Sequence, residues 1–100
     1  MNFTTVGDTL KVSGITELSD RTSKLFIDEV RANLTEAQTV IEVDLSGVRY
    51  LDSCGLSTLI SLHKTACSRN GSVRLLNPTD TVQQLLDITR MHRLFEIVKT

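Results

Sequence analysis

The stretch Val40-Ile41-Glu42-Val43-Asp44-Leu45 is the strongest strand signal in the chain, because apolar residues dominate it and three of them are β-branched. The turn pair Ser46-Gly47 ends it. A few residues later, Asp52-Ser53-Cys54-Gly55 leads into a segment whose apolar residues recur at helical spacing. Together these segments predict a buried strand followed by an amphipathic helix, which is the repeating unit of sheets with parallel strands.

The residues before this stretch predict a hairpin and a helix. Gly7-Asp8 is typical of a tight turn, here between the extended segments Phe3–Val6 and Thr9–Val12. Asp20 is a candidate N-cap for a helix of about four turns. The apolar face of that helix carries Leu25, Phe26, Ile27, Val30 and Leu34.

The residues after it repeat the pattern. The helix that begins near Ser53 ends at Asn70-Gly71, and a short strand, Val73–Leu76, follows. Asp80 and Gln83 form a candidate capping box for a third helix. Phe95–Val98 is typical of a last, short strand. The apolar residues assigned to the second and third helices are Leu56, Leu59, Ile60, Leu62, Ala66 and Cys67, and then Val82, Leu85, Leu86 and Ile88.

The predicted order is β-β-α-β-α-β-α-β, which places the chain in the α/β class. Strands that alternate with helices need crossover connections, so we expect a mixed sheet of about five strands with three to four helices packed on it. No linker or low-complexity segment interrupts the 100 residues, which predicts one domain over 1–100.

Composition excludes several classes of function. Eleven Lys and Arg residues stand against 12 Asp and Glu, giving a formal net charge of -1. That balance provides no broad positive field for nucleic acid or anionic lipid, so we do not expect nucleic-acid binding. The apolar segments lead us to expect no direct membrane insertion either. No stretch approaches the roughly 20 apolar residues that span a bilayer, and residues 1–5 lack the features of a signal peptide. A cytoplasmic location is therefore expected.

The histidines and cysteines are too few and too scattered to predict a metal or a cofactor. His63 and His92 form no short-range pair, and Cys54 and Cys67 have no partner at C-x-x-C spacing. If both cysteines lie on one helix, thirteen residues separate them by roughly 20 Å, too far for a disulfide. We expect Cys67 to lie in the core. Arg90-Met91-His92-Arg93, the one dense basic segment, is either a polar helix end or a rim for an acidic partner.

Ser53 stands where the second helix begins, and unpaired N–H groups and the helix dipole favour an anion there. It is either an ordinary N-cap or the acceptor of a phosphate, which would repel a partner docked on the loop. A catalytic serine is not expected, because Leu51 breaks the G-x-S-x-G pattern and His63 lies about three turns away. Cys54 is either a small semi-buried packing residue or a reactive thiol.

The segment around Ser53 resembles the signature of the STAS domain, specifically that of bacterial anti-sigma factor antagonists. The resemblance covers nearly the whole chain. It is carried by Asp52-Ser53-Cys54-Gly55-Leu56 with the preceding Ile41–Val48, and by Val12-Ser13-Gly14, Asn77-Pro78, Leu85–Thr89 and Leu94–Ile97.

This resemblance implies a STAS-like fold and a non-enzymatic function without a cofactor. The unphosphorylated domain would bind an anti-sigma factor with serine kinase activity and free the sigma factor. Phosphorylation of Ser53 would end that binding, and a protein phosphatase would restore it. The implied partner-binding residues are Asp52, Ser53, Cys54 and Gly55, with Glu17 and Asp20.

The sequence departs from the family pattern at two places. Many members carry a G-x-L-D acidic position after the early glycine, whereas this chain offers either Glu17 or Asp20. Cys54 replaces the usual serine or alanine. Two other functions stay open. The chain could be a STAS subunit that binds the ATPase of a lipid-transport ABC assembly, because Gly7-Asp8-Thr9-Leu10 resembles the opening of such subunits. It could also be a STAS phospho-regulator of a target other than a sigma factor.

Overall fold

The computed structural model describes residues 1–100 and confirms the alternation of strands and helices. A short 3-10 helix at Met91–Arg93 precedes the last strand. The other elements, in chain order, are β1 (Asn2–Val6), β2 (Thr9–Ser13), β3 (Glu17–Leu18), α1 (Ser23–Asn33), β4 (Val40–Asp44), β5 (Tyr50–Leu51), α2 (Ser53–Cys67), β6 (Ser72–Leu76), α3 (Asp80–Ile88) and β7 (Glu96–Val98).

Five of the strands form a mixed sheet in the order β1-β2-β4-β6-β7. β1 and β2 are antiparallel, and the remaining neighbours are parallel. This follows from the connections, because the Gly7-Asp8 turn joins β1 directly to β2 while a helix lies between each later pair. The predicted hairpin is confirmed, and so is the predicted mixed sheet of about five strands, on which three α-helices lie where three to four were expected.

The two faces of the sheet differ in chemistry because side chains alternate along each strand. One face holds the apolar core that the helices cover. The other carries a row of paired charges across four strands, in which Glu42 lies 3.9 Å from Lys11 and 2.9 Å from Arg74, and Arg74 lies 3.5 Å from Glu96. The buried core comprises Leu10, Val12, Ile15, Leu18, Phe26, Val30, Ile41, Val43, Leu45, Val48, Leu56, Leu59, Leu62, Ala66, Val73, Leu75, Val82, Leu86 and Phe95.

A second, two-stranded sheet forms where the sequence predicted no strands. β3 pairs with β5 in parallel, with Glu17 beside Tyr50 and Leu18 beside Leu51. Two residues are too few to show a period, so only the tertiary pairing reveals these strands. The pairing matters for the site because it places the residues that follow β3 next to those that follow β5.

Both predicted caps at the first and third helices were wrong. α1 begins after Thr22, not Asp20, and spans 11 residues rather than about four turns. The Thr22 hydroxyl donates to the Glu17 carbonyl and accepts from the Ser19 N–H, which closes a turn ahead of the helix. At α3, Thr79 is the N-cap and its side chain accepts from the Val82 N–H, whereas Asp80 is the first helical residue.

Several residues expected at packed positions are exposed. Cys67 is exposed because its neighbour Ala66 takes the inward position of the last turn of α2, and Cys54 is exposed rather than semi-buried. On α1 and α3, Leu25 and Ile88 are 58% and 79% exposed. Both cysteines are free thiols at opposite ends of α2.

The basic segment Arg90–Arg93 lies beyond α3 rather than in its last turn. Arg90 adopts a left-handed conformation, with φ of 59°, and the 3-10 helix follows it. None of the helices combines the length and the apolar character needed to cross a bilayer.

Candidate functional site

The site is built where β5 ends and α2 begins. Because β3 and β5 run parallel, the chain leaves both strands at the same edge. The Asp52 N–H donates to the Leu18 carbonyl at 3.2 Å, which joins the two strand ends. The fold thus brings together the two groups of predicted partner-binding residues: Glu17 and Asp20 on one segment, and Asp52, Ser53, Cys54 and Gly55 on the other.

Asp52 fixes the start of α2 through both carboxylate oxygens. It is the N-cap, and Oδ1 accepts from the Gly55 N–H at 3.0 Å. Oδ2 accepts from the Asp20 N–H at 3.1 Å. The hydrogen bond from the Gly55 N–H is the main cause that lowers the pKa of Asp52 below its ordinary value, and the bond from the Asp20 N–H adds to it. Partial desolvation of the carboxylate opposes this shift. Asp52 therefore ties the loop after β3 to the helix that carries Ser53.

Gly55 is required by the close approach of α2 to β3. A Cβ atom on this residue would lie 2.1 Å from the Leu18 carbonyl oxygen and 2.7 Å from its carbonyl carbon. Such contacts are far below van der Waals separation, so the first turn of α2 can lie against β3 only without a side chain here. The glycine of the motif therefore has a packing role that positions Ser53.

Ser53 is the first residue of α2 and is exposed. It is not the N-cap, because Asp52 occupies that position, so this alternative for its role is wrong. The Ser53 side chain projects at a helix end where N–H groups lack intrahelical partners, an environment that stabilises an anion.

His63 is too far from Ser53 to serve as its general base. His63 lies ten residues further along α2, or about 15 Å along the axis. Its ring contacts the sulfur of Cys67 and packs edge-on against Phe95. No group of three or more His, Cys, Asp or Glu side chains is placed to hold a metal ion. The arrangement can accept a modification at Ser53 and present a shaped surface.

Glu17 and Asp20 differ in whether their carboxylates are paired within the chain. Ser19 donates a short hydrogen bond to Glu17, and Arg21 pairs with it at 3.2 Å. The hydrogen bond from Ser19 is the main cause that lowers the pKa of Glu17, and Arg21 adds to this shift. Desolvation of the carboxylate acts in the opposite direction. The backbone of Asp20 is held by Asp52, whereas its side chain is exposed and forms no ion pair.

An open cleft of about 760 Å³ adjoins the site, and of its lining residues only Glu17 was predicted from the sequence to bind a partner. Tyr50, the one tyrosine of the chain, is 55% exposed there. Tyr50 precedes Leu51 and Asp52 in a segment too short to show the periodicity of a strand or a helix. The cleft is lined by Thr16, Glu17, Ser46, Gly47, Val48, Arg49, Tyr50 and Thr79.

We predict that Gly55→Ala destabilises the chain by about 3 kcal/mol, because the new methyl group overlaps the backbone of Leu18. Urea unfolding would measure this change. The matched control is Cys54→Ala, one residue earlier and exposed, which should change the free energy of unfolding by less than about 0.5 kcal/mol. Equal stability of Gly55→Ala and wild type would contradict the close contact.

We also predict that Asp52→Asn lowers stability at neutral pH and does so less as the pH falls. The pKa of Asp52 is lower in the folded chain than its ordinary value of 3.8. Its charged form therefore stabilises the fold above that pH, and this contribution is lost as the pH falls through the lowered value. The difference in urea midpoint between variant and wild type should therefore be smaller at about pH 2.5 than at about pH 7. A gap of the same size at both would refute the prediction.

Comparison with known proteins gives the family and the fold. The family model described as "Mlab, STAS domain" matches residues 1–99. A Thermotoga maritima protein described as a candidate anti-sigma factor antagonist is 24% identical, with a TM-score of 0.90 over 99% of this chain and 85% of that one. An anti-sigma factor antagonist from Mycobacterium paratuberculosis is 18% identical, with a TM-score of 0.84 over 99% of this chain and 84% of that one.

The third relative is the anti-sigma factor antagonist SpoIIAA, which has been solved in two states. Its unphosphorylated form is 17% identical, with a TM-score of 0.83 over 99% of this chain and 86% of that one. The phosphorylated form from Bacillus is 15% identical, with a TM-score of 0.78 over 99% of this chain and 89% of that one. At these identities the structures confirm the predicted STAS-like fold, and the family model matches almost every residue. The chain belongs to the STAS domain family, as the resemblance around Ser53 predicted.

Proposed function

We propose that this chain is a non-enzymatic docking module and an anti-sigma factor antagonist. In its unphosphorylated form it binds an anti-sigma factor with serine kinase activity and so frees the sigma factor. Phosphorylation of Ser53 by that kinase ends the binding. The observation that carries the proposal is the exposed Ser53 on a helix start that Asp52 and Gly55 hold rigidly against β3.

The electrostatics of the site support such a switch. A phosphate on Ser53 adds about 1.5 to 2 negative charges at the positive end of α2, so the helix itself tolerates it. The same charge lies beside the carboxylate of Asp52 and near that of Glu17, and Asp52 raises the pKa of Glu17 through this proximity. A partner that fits the unmodified surface would meet a concentrated negative charge instead, and would dissociate.

The docking surface consists of Asp20, residues 52–55, and Tyr50 with the adjoining cleft. Tyr50 offers a large exposed ring, which is the kind of side chain that anchors protein interfaces. Asp20 is the better candidate for the family's acidic position, because Glu17 already pairs with Arg21 and Ser19. A cation on the kinase would pair with Asp20.

The chemistry of the cycle would be supplied by the partners. The kinase would bring ATP and Mg²⁺, and a phosphatase would return the chain to its binding state, so the chain needs no cofactor. Similarity supports this division of labour, since SpoIIAA, an anti-sigma factor antagonist of the same fold, is known in phosphorylated and unphosphorylated forms.

The test combines phosphosite mapping with a binding measurement. Each purified anti-sigma factor kinase of the source organism is incubated with ATP, Mg²⁺ and the chain, and modified residues are mapped by mass spectrometry. We expect phosphate on Ser53 and none in Ser53→Ala. Calorimetry should show that Ser53→Ala binds the kinase like wild type, whereas Ser53→Asp binds at least about ten-fold more weakly.

Ser57, which is exposed one turn further along α2, provides the matched control. Ser57→Asp adds the same charge to the same helix and should bind like wild type. Equal affinities for Ser53→Asp and Ser53→Ala would contradict the switch. Release of a sigma factor when the chain is added separates a sigma target from another phospho-regulated system, because in the latter the kinase binds without that release.

A second candidate function has two observations in its favour. The matching family model is described by the name Mlab, and Gly7-Asp8-Thr9-Leu10 resembles the opening of STAS subunits in lipid-transport ABC assemblies. On that alternative the chain would bind the ATPase of such an assembly, and Ser53 would not be phosphorylated. Co-purification decides between them: we expect a serine kinase bound to the chain, and stoichiometric recovery of an ABC ATPase would overturn the first proposal.

A further inference from the structure

The two edges of the five-stranded sheet are protected very differently. β7 is three residues long, carries Glu96 and is followed by Lys99. β1 is five residues long and reads Asn-Phe-Thr-Thr-Val, without a charge, a proline or a lysine. Natural edge strands are normally blunted by such residues, because unpaired backbone groups invite another strand. β1 lacks these devices and is rich in residues that favour strands.

The hairpin geometry determines which backbone groups of β1 face outward. The two-residue turn at Gly7-Asp8, with Gly7 at φ of 59°, makes the flanking residues Val6 and Thr9 a hydrogen-bonded pair. Hydrogen-bonded pairs alternate along an antiparallel ladder, so Thr4 and Asn2 also bond towards β2. The N–H and C=O groups of Phe3 and Thr5 therefore point away from the sheet.

These outward groups are self-complementary. If a second copy of β1 lies antiparallel about a two-fold axis at Thr4, Phe3 of each copy faces Thr5 of the other. Both residues present their N–H and C=O outward, so the pairs form four hydrogen bonds. The two Thr4 side chains then meet across the axis as a non-hydrogen-bonded pair, a favourable threonine contact.

Exposed apolar side chains lie at both ends of the same edge. Val6 is 57% exposed at the end of β1, and Met1 is 42% exposed at its start. Met1 also lines a crevice of about 150 Å³ with Leu25, which is 58% exposed, and Phe26. Three of the six large exposed hydrophobic residues of the chain thus lie on or beside β1, where a second copy would cover part of their surface.

We propose that β1 is a homodimerisation edge, at which two copies join their sheets into one ten-stranded sheet about a two-fold axis at Thr4. A closed, isologous pair follows, since each edge is used once. Two five-residue strands bury less than the roughly 1,600 Å² of a standard interface, so the dimer is weak and depends on concentration. The proposal is independent of Ser53, which lies on α2.

Sedimentation velocity of the full chain from about 10 µM to about 1 mM tests the proposal, because weak dimers populate in this range. We expect the weight-average sedimentation coefficient of wild type to rise towards that of a dimer. A constant monomer value over the whole range would overturn the proposal and leave a strand from another protein as the occupant of this edge.

Charge variants at Thr4 make the test specific. Thr4→Glu faces Lys11 on β2, which suits the monomer, but it places two carboxylates opposite each other in the dimer. Thr4→Glu and Thr4→Lys should each associate at least about ten-fold more weakly than wild type. An equimolar mixture of the two should regain association, because opposite charges then meet across the axis. Failure of the mixture to associate would contradict the assigned axis.

Two further variants keep the result independent of folding effects. Thr5→Pro removes an outward N–H without touching the ladder to β2, so it should weaken association while circular dichroism stays that of wild type. Thr81→Glu adds the same charge at an exposed position of α3 and should associate like wild type. Loss of association in Thr81→Glu would show a general charge effect and overturn the proposal.

Discussion

The close contact between Gly55 and the backbone of Leu18 is the constraint on which the site depends. It lets α2 begin directly against β3, and the hydrogen bond from Asp52 to the Leu18 carbonyl then joins the two strand ends. With this contact in place, the carboxylate of Asp52 reaches both the Gly55 and the Asp20 N–H groups. One glycine therefore determines the position of a cap, a loop and an exposed serine.

The same arrangement would let the chain respond to the proposed phosphorylation of Ser53. Asp52 already satisfies the N-terminal donor of Gly55, so a phosphate on Ser53 would lie at the remaining free end of α2 without displacing the core. Its effect would be felt on the surface, where Asp20, Glu17 and Tyr50 lie. A rigid support with an exposed acceptor is what a charge-based switch requires, since the altered charge must change binding rather than folding.

Prediction from the sequence succeeded where a pattern extends over several residues and failed where one contact decides. The hairpin at Gly7-Asp8 and the strand Val40–Asp44 follow from turn chemistry and β-branched residues. The caps at Asp20 and Asp80 were wrong because each helix start offers several competing side chains. Thr79 caps α3 through the Val82 N–H, whereas the hydrogen bonds of Thr22 to Glu17 and Ser19 close a turn that precedes α1. Cys67 was placed in the core because a wide apolar stripe cannot resolve which of two adjacent residues faces inward.

By itself, the sequence determined the α/β order, the family signature and the position of Ser53 at a helix start, because these follow from local propensity and residue type. Only the tertiary structure decided that β3 pairs with β5, and that this pairing brings Glu17 and Asp20 beside Asp52. It also decided that β1 is an edge strand with outward groups on Phe3 and Thr5. Long-range pairing of short segments carries no local signal, because its free energy comes from partners more than 30 residues away in the chain.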